Sequence, residues 1–157
     1  MKPLLRLLRR DWYILDINKK EIACLLFPKF KCVRDKSGYE FVVFQQSSAT
    51  NDFEKSMFCD KTSFEAFENH IHILDGISKT ELYVLESISR KLCKYYVKLL
   101  ADQFPDKRFA VCVSLKENDS MIFRFHQCHE EEPLYLQEGK WEDGSIVIVE
   151  LSDQAED

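Results

Sequence analysis

Residues 78–105 read SKTELYVLESISRKLCKYYVKLLADQFP and carry the strongest helix signal of the chain. Ser78 and Glu81 have the spacing of a capping box, in which two side chains satisfy backbone N–H groups at a helix start. Large side chains then recur every three or four residues, which is the spacing of one buried helix face: Leu82, Leu85, Ile88, Leu92, Tyr96 and Leu99. We therefore expect a long amphipathic helix that ends before Pro105.

Two strands are predicted after this helix, in Phe109–Leu115 and Met121–Cys128, because both segments are rich in aromatic and β-branched residues. The polar segment between them has the composition and length of a hairpin connection. After a short apolar segment at Leu134–Leu136, a turn at Glu142–Ser145 leads into a last strand at Ile146–Val149. The long helix is thus followed by a β-meander.

The first half of the chain mixes helices and strands. The predicted elements are a short helix over residues 3–11 and strands at Tyr13–Leu15, Ile22–Phe27 and Tyr39–Gln46. Residues 47–61 are polar and form the best loop candidate. Thr62 and Glu65 again have capping-box spacing, so a second helix is expected from Thr62 to about Leu74, closed by Asp75-Gly76.

This element order predicts an α+β fold, a mostly antiparallel β-sheet with the long helix packed across it. A chain of 157 residues with 45% apolar content can bury one core, so we expect a single domain over residues 1–157. The predicted core consists of inward positions of the helix and strands: Leu85, Leu92, Tyr96, Val111, Val113, Phe123, Phe125 and Val147.

The start of the chain and its cysteines predict a cytosolic protein. Arg6, Arg9 and Arg10 interrupt the leucine-rich start before a signal-peptide apolar region can form, and no apolar run approaches the ~20 residues of a membrane span. The cysteines are irregularly spaced and most lie in apolar runs. We expect reduced, buried thiols, as is usual in a cytosol, at Cys24, Cys32, Cys59, Cys93, Cys112 and Cys128.

Motifs for nucleotide cofactors are missing, because all four glycines lie at predicted turns. No cofactor is therefore expected. Arg90, Lys94 and Lys98 form a basic ridge on the long helix, but without interleaved exposed aromatics the ridge predicts a solvated face and no nucleic-acid binding. His70 and His72, near the end of the second predicted helix, are expected to cap that helix or to be solvated.

The densest set of potential metal ligands is His126, Cys128 and His129. Zinc requires three or four converging donors. Hairpin pairing of the two strands places Cys112 opposite Arg124, ~13 Å along the strand from Cys128, so it cannot complete the set. We expect no metal at this cluster.

Thiol–imidazole pairs can be drawn from Cys128 with His126, or from Cys59 with His70 or His72. A catalytic cysteine needs a thiolate that is stabilised by an imidazolium and a third group that orients the ring. A chain with six cysteines and four histidines offers such pairs by chance. The protein is therefore expected not to be an enzyme, and a small cysteine- or metal-dependent enzyme remains the alternative.

Negative charge is concentrated in the acidic C-terminal segment, residues 129–157. This segment has ten acidic residues against the single Lys140, a net charge of −9, whereas residues 1–128 have a net charge of +4. Such a segment repels nucleic acid and attracts a basic protein surface, or it only solubilises the chain. Its acids and large aromatics form the candidate partner-binding set: Glu130, Glu131, Glu132, Tyr135, Glu138, Trp141, Glu142 and Asp143.

A small acidic α+β domain that ends in HEEEPLYLQEGKWEDGSIVIVE resembles the immunity proteins that neutralise bacterial toxins, including contact-dependent growth inhibition nucleases. The resemblance implies a monomer or weak homodimer that binds a basic toxin domain in the cytosol and excludes its nucleic acid. A homodimeric secretion-type chaperone, which binds an extended client segment, is similar in size and acidity. That alternative expects a closing helix where this chain has predicted strands.

Overall fold

The computed structural model describes residues 25–45, 53 and 56–152 of the chain. These residues form an α+β fold with two antiparallel sheets, as expected from the element order. The elements in chain order are β1 (Phe30–Arg34), β2 (Glu40–Phe44), α1 (Lys61–Glu68), β3 (Ile71–Asp75), α2 (Lys79–Gln103), β4 (Phe109–Leu115), β5 (Ser120–Gln127), β6 (Gly139–Lys140) and β7 (Ile146–Leu151). In the described ranges no helix has the length and apolar content to cross a membrane.

The main sheet has the strand order β3-β5-β4-β7-β6, and every pair is antiparallel. The predicted β4–β5 hairpin is confirmed, since Leu115 pairs with Met121 and Cys112 lies opposite Arg124. The first sheet is the β1–β2 hairpin. Its turn places Gly38 at φ +89°, a left-handed conformation that costs glycine little.

Helix α2 begins and ends where the sequence predicts. The Ser78 N–H donates to the Glu81 carboxylate at 2.8 Å as part of the predicted capping box, and Phe104 is the C-cap residue. The buried face differs in part from the predicted one and consists of Leu82, Leu85, Ser89, Cys93, Tyr96 and Leu100. The helix packs against β4 and β7 with Ser89 and Cys93 among its buried residues, and Leu92 is only half-buried.

The prediction of one helix from Thr62 to about Leu74 was wrong. Helix α1 ends at Glu68, and Ile71–Asp75 is strand β3, which pairs with β5. The N-cap is Asp60, whose carboxylate accepts the Ser63 N–H at 2.6 Å. The apolar spacing of this region fits both structures, and strand pairing with β5 decides in favour of a strand.

Three smaller predictions also need correction. Leu25 and Leu26 are helical, although they were predicted in a strand, and strand β1 was not predicted. The predicted β-meander after the long helix is wrong, because the last strand, β7, pairs with β4 and not with the preceding long strand β5. The predicted helix over residues 3–11, the strand Tyr13–Leu15 and most of the 47–61 loop lie outside the described residues.

The core lies between the main sheet, α2 and the β1–β2 hairpin. Aromatic rings dominate it: the Tyr96 and Phe123 ring centroids are 4.5 Å apart, and those of Phe44 and Phe125 are 5.1 Å apart. The buried Tyr96 hydroxyl donates to the Leu25 carbonyl at 2.8 Å. All predicted core residues except Leu92 are buried. A second cluster around Phe41, Val43 and Phe64 joins the hairpin to α1.

Candidate functional site

Six of the eight predicted partner-binding residues lie at the two ends of the main sheet. Glu130, Glu131 and Glu132 follow β5 where Gln127 pairs with Phe109. Trp141–Asp143 form the β6–β7 turn, at the opposite end of β5, where Met121 is the paired residue. Six strand residues separate these ends, which corresponds to ~20 Å. These six candidate residues therefore form two surfaces that are separated by the length of the sheet.

Some acids of the candidate set bond within the protein. Glu138 pairs with Arg90 of α2 at 2.7 Å, and Asp143 pairs with Lys116 at 2.9 Å. Hydrogen bonds from Ser145 and Lys116 lower the pKa of Asp143. Glu150 Oε1 also lies 3.9 Å from Lys94 Nζ. The acidic segment therefore neutralises two charges of the basic ridge of α2, those of Arg90 and Lys94.

The two aromatic residues of the set differ in their surroundings. The Arg124 guanidinium lies 5.5 Å from the centre of the Tyr135 ring, so that ring already has a cation partner. Trp141 is 51% exposed, and with Lys140, Glu142, Asp143 and Ser145 it lines an open depression at the β6–β7 turn. Trp141 is therefore the more accessible of the two rings.

Sequence reasoning missed the buried carboxylate of Glu65, which is 0% exposed on α1. Its capping-box spacing with Thr62 predicted an exposed helix start instead. A more informative signal was its place between the apolar residues Phe64 and Ala66, which are both buried, because a buried carboxylate needs several donors.

Four donors surround the Glu65 carboxylate. Oε1 accepts from the Tyr39 hydroxyl, from His129 Nε2 at 3.0 Å and from the Gln127 side-chain amide at 2.9 Å, and Oε2 accepts the Gln127 N–H at 2.6 Å. Burial and the negative charge of Glu65 together raise the pKa of Tyr39, which keeps its hydroxyl protonated. The network joins β2, α1 and the end of β5.

Glu132 lies at the N-terminus of α1. Its carboxylate accepts the Thr62 N–H at 2.7 Å and the Lys61 N–H at 3.2 Å. Burial alone raises the pKa of Glu132, but these backbone hydrogen bonds lower it overall. A carboxylate at a helix N-terminus also interacts favourably with the helix dipole. Glu132 thus anchors its loop to α1.

Residues His129–Glu132, here called the acidic loop, are held at both ends. His129 bonds to Glu65, Glu132 bonds to α1, and the Glu132 N–H donates to the His129 carbonyl at 3.2 Å. Glu130 and Glu131 lie between these anchors and are exposed. Among residues 25–45, 53 and 56–152, no side chain hydrogen bonds or ion pairs with either carboxylate. Two fixed negative charges therefore face solvent.

The two histidines of the possible metal cluster have different partners. His126 Nδ1 lies 2.7 Å from the Gln127 carbonyl, its Nε2 accepts the Tyr135 N–H at 3.4 Å, and His129 bonds to Glu65. Burial raises the pKa of the Cys128 thiol, which disfavours a thiolate. Within the described part of the chain, no group of three or more His, Cys, Asp and Glu side chains is arranged to hold a metal ion.

The His126 ring is suited to the neutral form, because Nδ1–H donates while Nε2 accepts. Burial lowers its pKa below the ordinary 6.5. As pH falls through about 6.5, the unfolded chain binds a proton that the folded chain resists, so stability decreases. We expect urea denaturation to show a loss of up to about 1.4 kcal/mol for this histidine from about pH 7.5 to about pH 5.5.

The matched variant is His126→Gln, which keeps an amide donor and acceptor but does not titrate. Its free energy of unfolding should depend less on pH over the same interval. Equal pH dependence in the two proteins would contradict a neutral, buried His126.

The expectation of buried thiols holds for some of the cysteines. Cys93 and Cys112 are buried and free, and burial raises the pKa of Cys112 to about 12. Cys32 and Cys59 are free but exposed, which corrects the expectation for those two. Cys24 lies outside the described residues.

The two histidines near α1 have different roles. His70 Nδ1 lies 2.5 Å from the Phe67 carbonyl, where an N–H would cap the last turn of α1 as predicted. His72 belongs to strand β3 and lies opposite Ile122. Its ring is exposed, and its Nδ1 lies 4.0 Å from the Asp75 carboxylate.

Comparison with known protein families identifies a matching family. The model of a family described as the uncharacterized protein PM0498 family matches residues 15–155. No curated protein matches the chain, and no solved structure matches it.

Proposed function

The chain belongs to the uncharacterized protein PM0498 family, and from the geometry of the acidic loop we propose that it is a non-catalytic protein that binds and neutralises a basic toxin domain in the cytosol. Glu130 and Glu131 provide the recognised charge. The proposal makes this protein an immunity protein that acts by stoichiometric inhibition.

The observation that carries the proposal is the anchoring of the acidic loop at both ends. A loop that already has its bound conformation loses less conformational entropy on binding, which favours affinity. The anchors are intramolecular hydrogen bonds of His129 and Glu132, so they use no group of Glu130 or Glu131. Both carboxylates stay available to a partner.

Charge distribution supports a basic partner. Glu138 and Glu150 of the acidic segment pair with α2, whereas Glu130 and Glu131 form no ion pair within the described residues. Exposed carboxylates raise the association rate with a positively charged surface through long-range attraction. Association should therefore slow as salt rises, because charges are screened over ~8–10 Å.

The test uses the product of the reading frame next to this gene as the partner. Surface plasmon resonance should show binding of the wild-type protein, and co-expression should relieve the growth defect caused by that product. Reversing both charges, Glu130→Lys with Glu131→Lys, should slow association by about tenfold or more at low salt. Glu132 is left unchanged because its substitution would disturb the start of α1.

A matched control carries the same charge change at the other end of the sheet, Glu117→Lys with Glu142→Lys. Both residues are exposed, so melting temperatures of the two double variants should stay close to that of the wild type. A larger decrease in association rate for this control than for Glu130→Lys with Glu131→Lys would indicate that the partner binds the surface around Trp141 instead. Absence of binding and of growth rescue by the wild-type protein would contradict the proposed function.

A further inference from the structure

Glu65 connects the acidic loop to the interior of the protein. A buried carboxylate is stable only when hydrogen-bond donors replace the water that it loses. Tyr39, Gln127 and His129 provide these donors, and of these three residues only His129 belongs to the acidic loop. The side chain of His129 is 21% exposed, so it bridges the buried carboxylate and the surface.

We infer that Glu65 is a positioning residue that holds the acidic loop in its binding conformation through His129. Hydrogen bonds to a buried carboxylate are charge-assisted and stronger than neutral ones. The Glu132 anchor holds only the far end of the loop, and the turn between them is closed by a single 3.2 Å bond. Loss of the Glu65–His129 bond should therefore open the turn.

Glu65 would thus contribute to binding without contacting the partner. A binding role for the acidic loop rests on the proposed function, whereas dependence of the loop conformation on Glu65 can be measured on the protein alone. Failure of one can thus be distinguished from failure of the other.

The test is amide hydrogen exchange of the Glu132 N–H, measured by NMR on the full chain. Glu65→Gln keeps the size of the side chain but replaces one acceptor oxygen with an NH₂ donor, which must then face a donor in the network. We expect exchange at Glu132 to become roughly 10- to 100-fold faster, the range that corresponds to loss of a hydrogen bond to a charged group.

The control is Asn69→Ala at the other end of α1. Asn69 is buried, and its side-chain amide donates to the Val42 carbonyl at 2.9 Å, away from the acidic loop. This variant should lower global stability without faster exchange at Glu132. Equal acceleration in the two variants would mean that Glu65 acts only through overall stability and would overturn the inference.

A double-mutant cycle tests whether Glu65 acts through His129. His129→Gln alone should accelerate exchange at Glu132, and adding Glu65→Gln should produce little further change. Additive effects of the two substitutions would contradict the inference. If Glu65→Gln does not fold, His129→Gln still decides, because unchanged exchange in that variant would also overturn it.

Binding measurements on the same variants separate the two proposals. Glu65→Gln should slow association with the partner or weaken binding, whereas Asn69→Ala should not at a temperature where both are folded. Faster exchange in Glu65→Gln, together with no binding by the wild-type protein, would leave the positioning role intact and reject the proposed function.

Discussion

Replacing Phe123 with Ala is expected to lower the free energy of unfolding by about 3–5 kcal/mol. Phe123 is 0% exposed, and its ring contacts those of Tyr96, Phe44 and Phe125 at the centre of the core. Truncation removes its transfer energy and leaves a cavity that strands β4 and β3, on either side of β5, cannot fill without breaking their pairing. Urea denaturation followed by circular dichroism measures the loss.

Tyr83→Ala is the control for that measurement. Tyr83 is a large aromatic of α2, but it is 72% exposed and so loses little packing on truncation. Its effect should stay within about 0.5 kcal/mol of the wild type, as for other surface positions. A loss below about 1 kcal/mol for Phe123→Ala would show that the core is assigned wrongly.

The second large effect is expected from Leu100→Ala, which should cost about 2–5 kcal/mol. Leu100 is fully buried on the face of α2 that packs against the sheet. Leu92, which the apolar spacing assigns to the same face, is half-buried, so Leu92→Ala should cost clearly less. Both substitutions have the same change in helix propensity, and the difference between their denaturation midpoints therefore reports burial alone.

A larger loss of unfolding free energy for Leu92→Ala than for Leu100→Ala would contradict the assignment of Leu100 to the buried face of α2. It would mean that α2 is rotated toward the face predicted from its leucines.

Stabilities of domains of this size are small, about 5–15 kcal/mol. Either core truncation therefore removes a large part of the total. Binding experiments on such variants would confuse unfolding with loss of contact, so the charge reversals that test the partner surface are placed at exposed positions.

Local signals predicted the long helix and the β4–β5 hairpin well, whereas the continuation of that hairpin into a β-meander was wrong, because β7 pairs with β4. The Ser78–Glu81 capping box and Pro105 bound α2, and the polar residues between β4 and β5 predicted a hairpin in the observed register. Each of these depends on neighbours within a few residues, so the chain's own chemistry is sufficient. The antiparallel α+β architecture follows from the order of such elements.

Signals that depend on distant partners were less informative. Ile71–Asp75 has apolar residues at a spacing that fits a helix, yet β5 pairs with it as a strand. Thr62 and Glu65 have capping-box spacing, yet the donors of Tyr39, Gln127 and His129 surround Glu65 in the interior. In both cases tertiary contacts outweigh local preference, because burial and pairing contribute more free energy than propensity.

The candidate partner-binding residues show the same division. Composition alone located the acidic and aromatic side chains in residues 129–157. Only the antiparallel register separated Glu130 and Glu131 from Trp141 by the length of a strand. Likewise, only chain folding brought Glu132 to the start of α1 and His129 to Glu65. Sequence therefore determined which charges are present, whereas contacts between residues distant in the sequence decided which of them remain free for a partner.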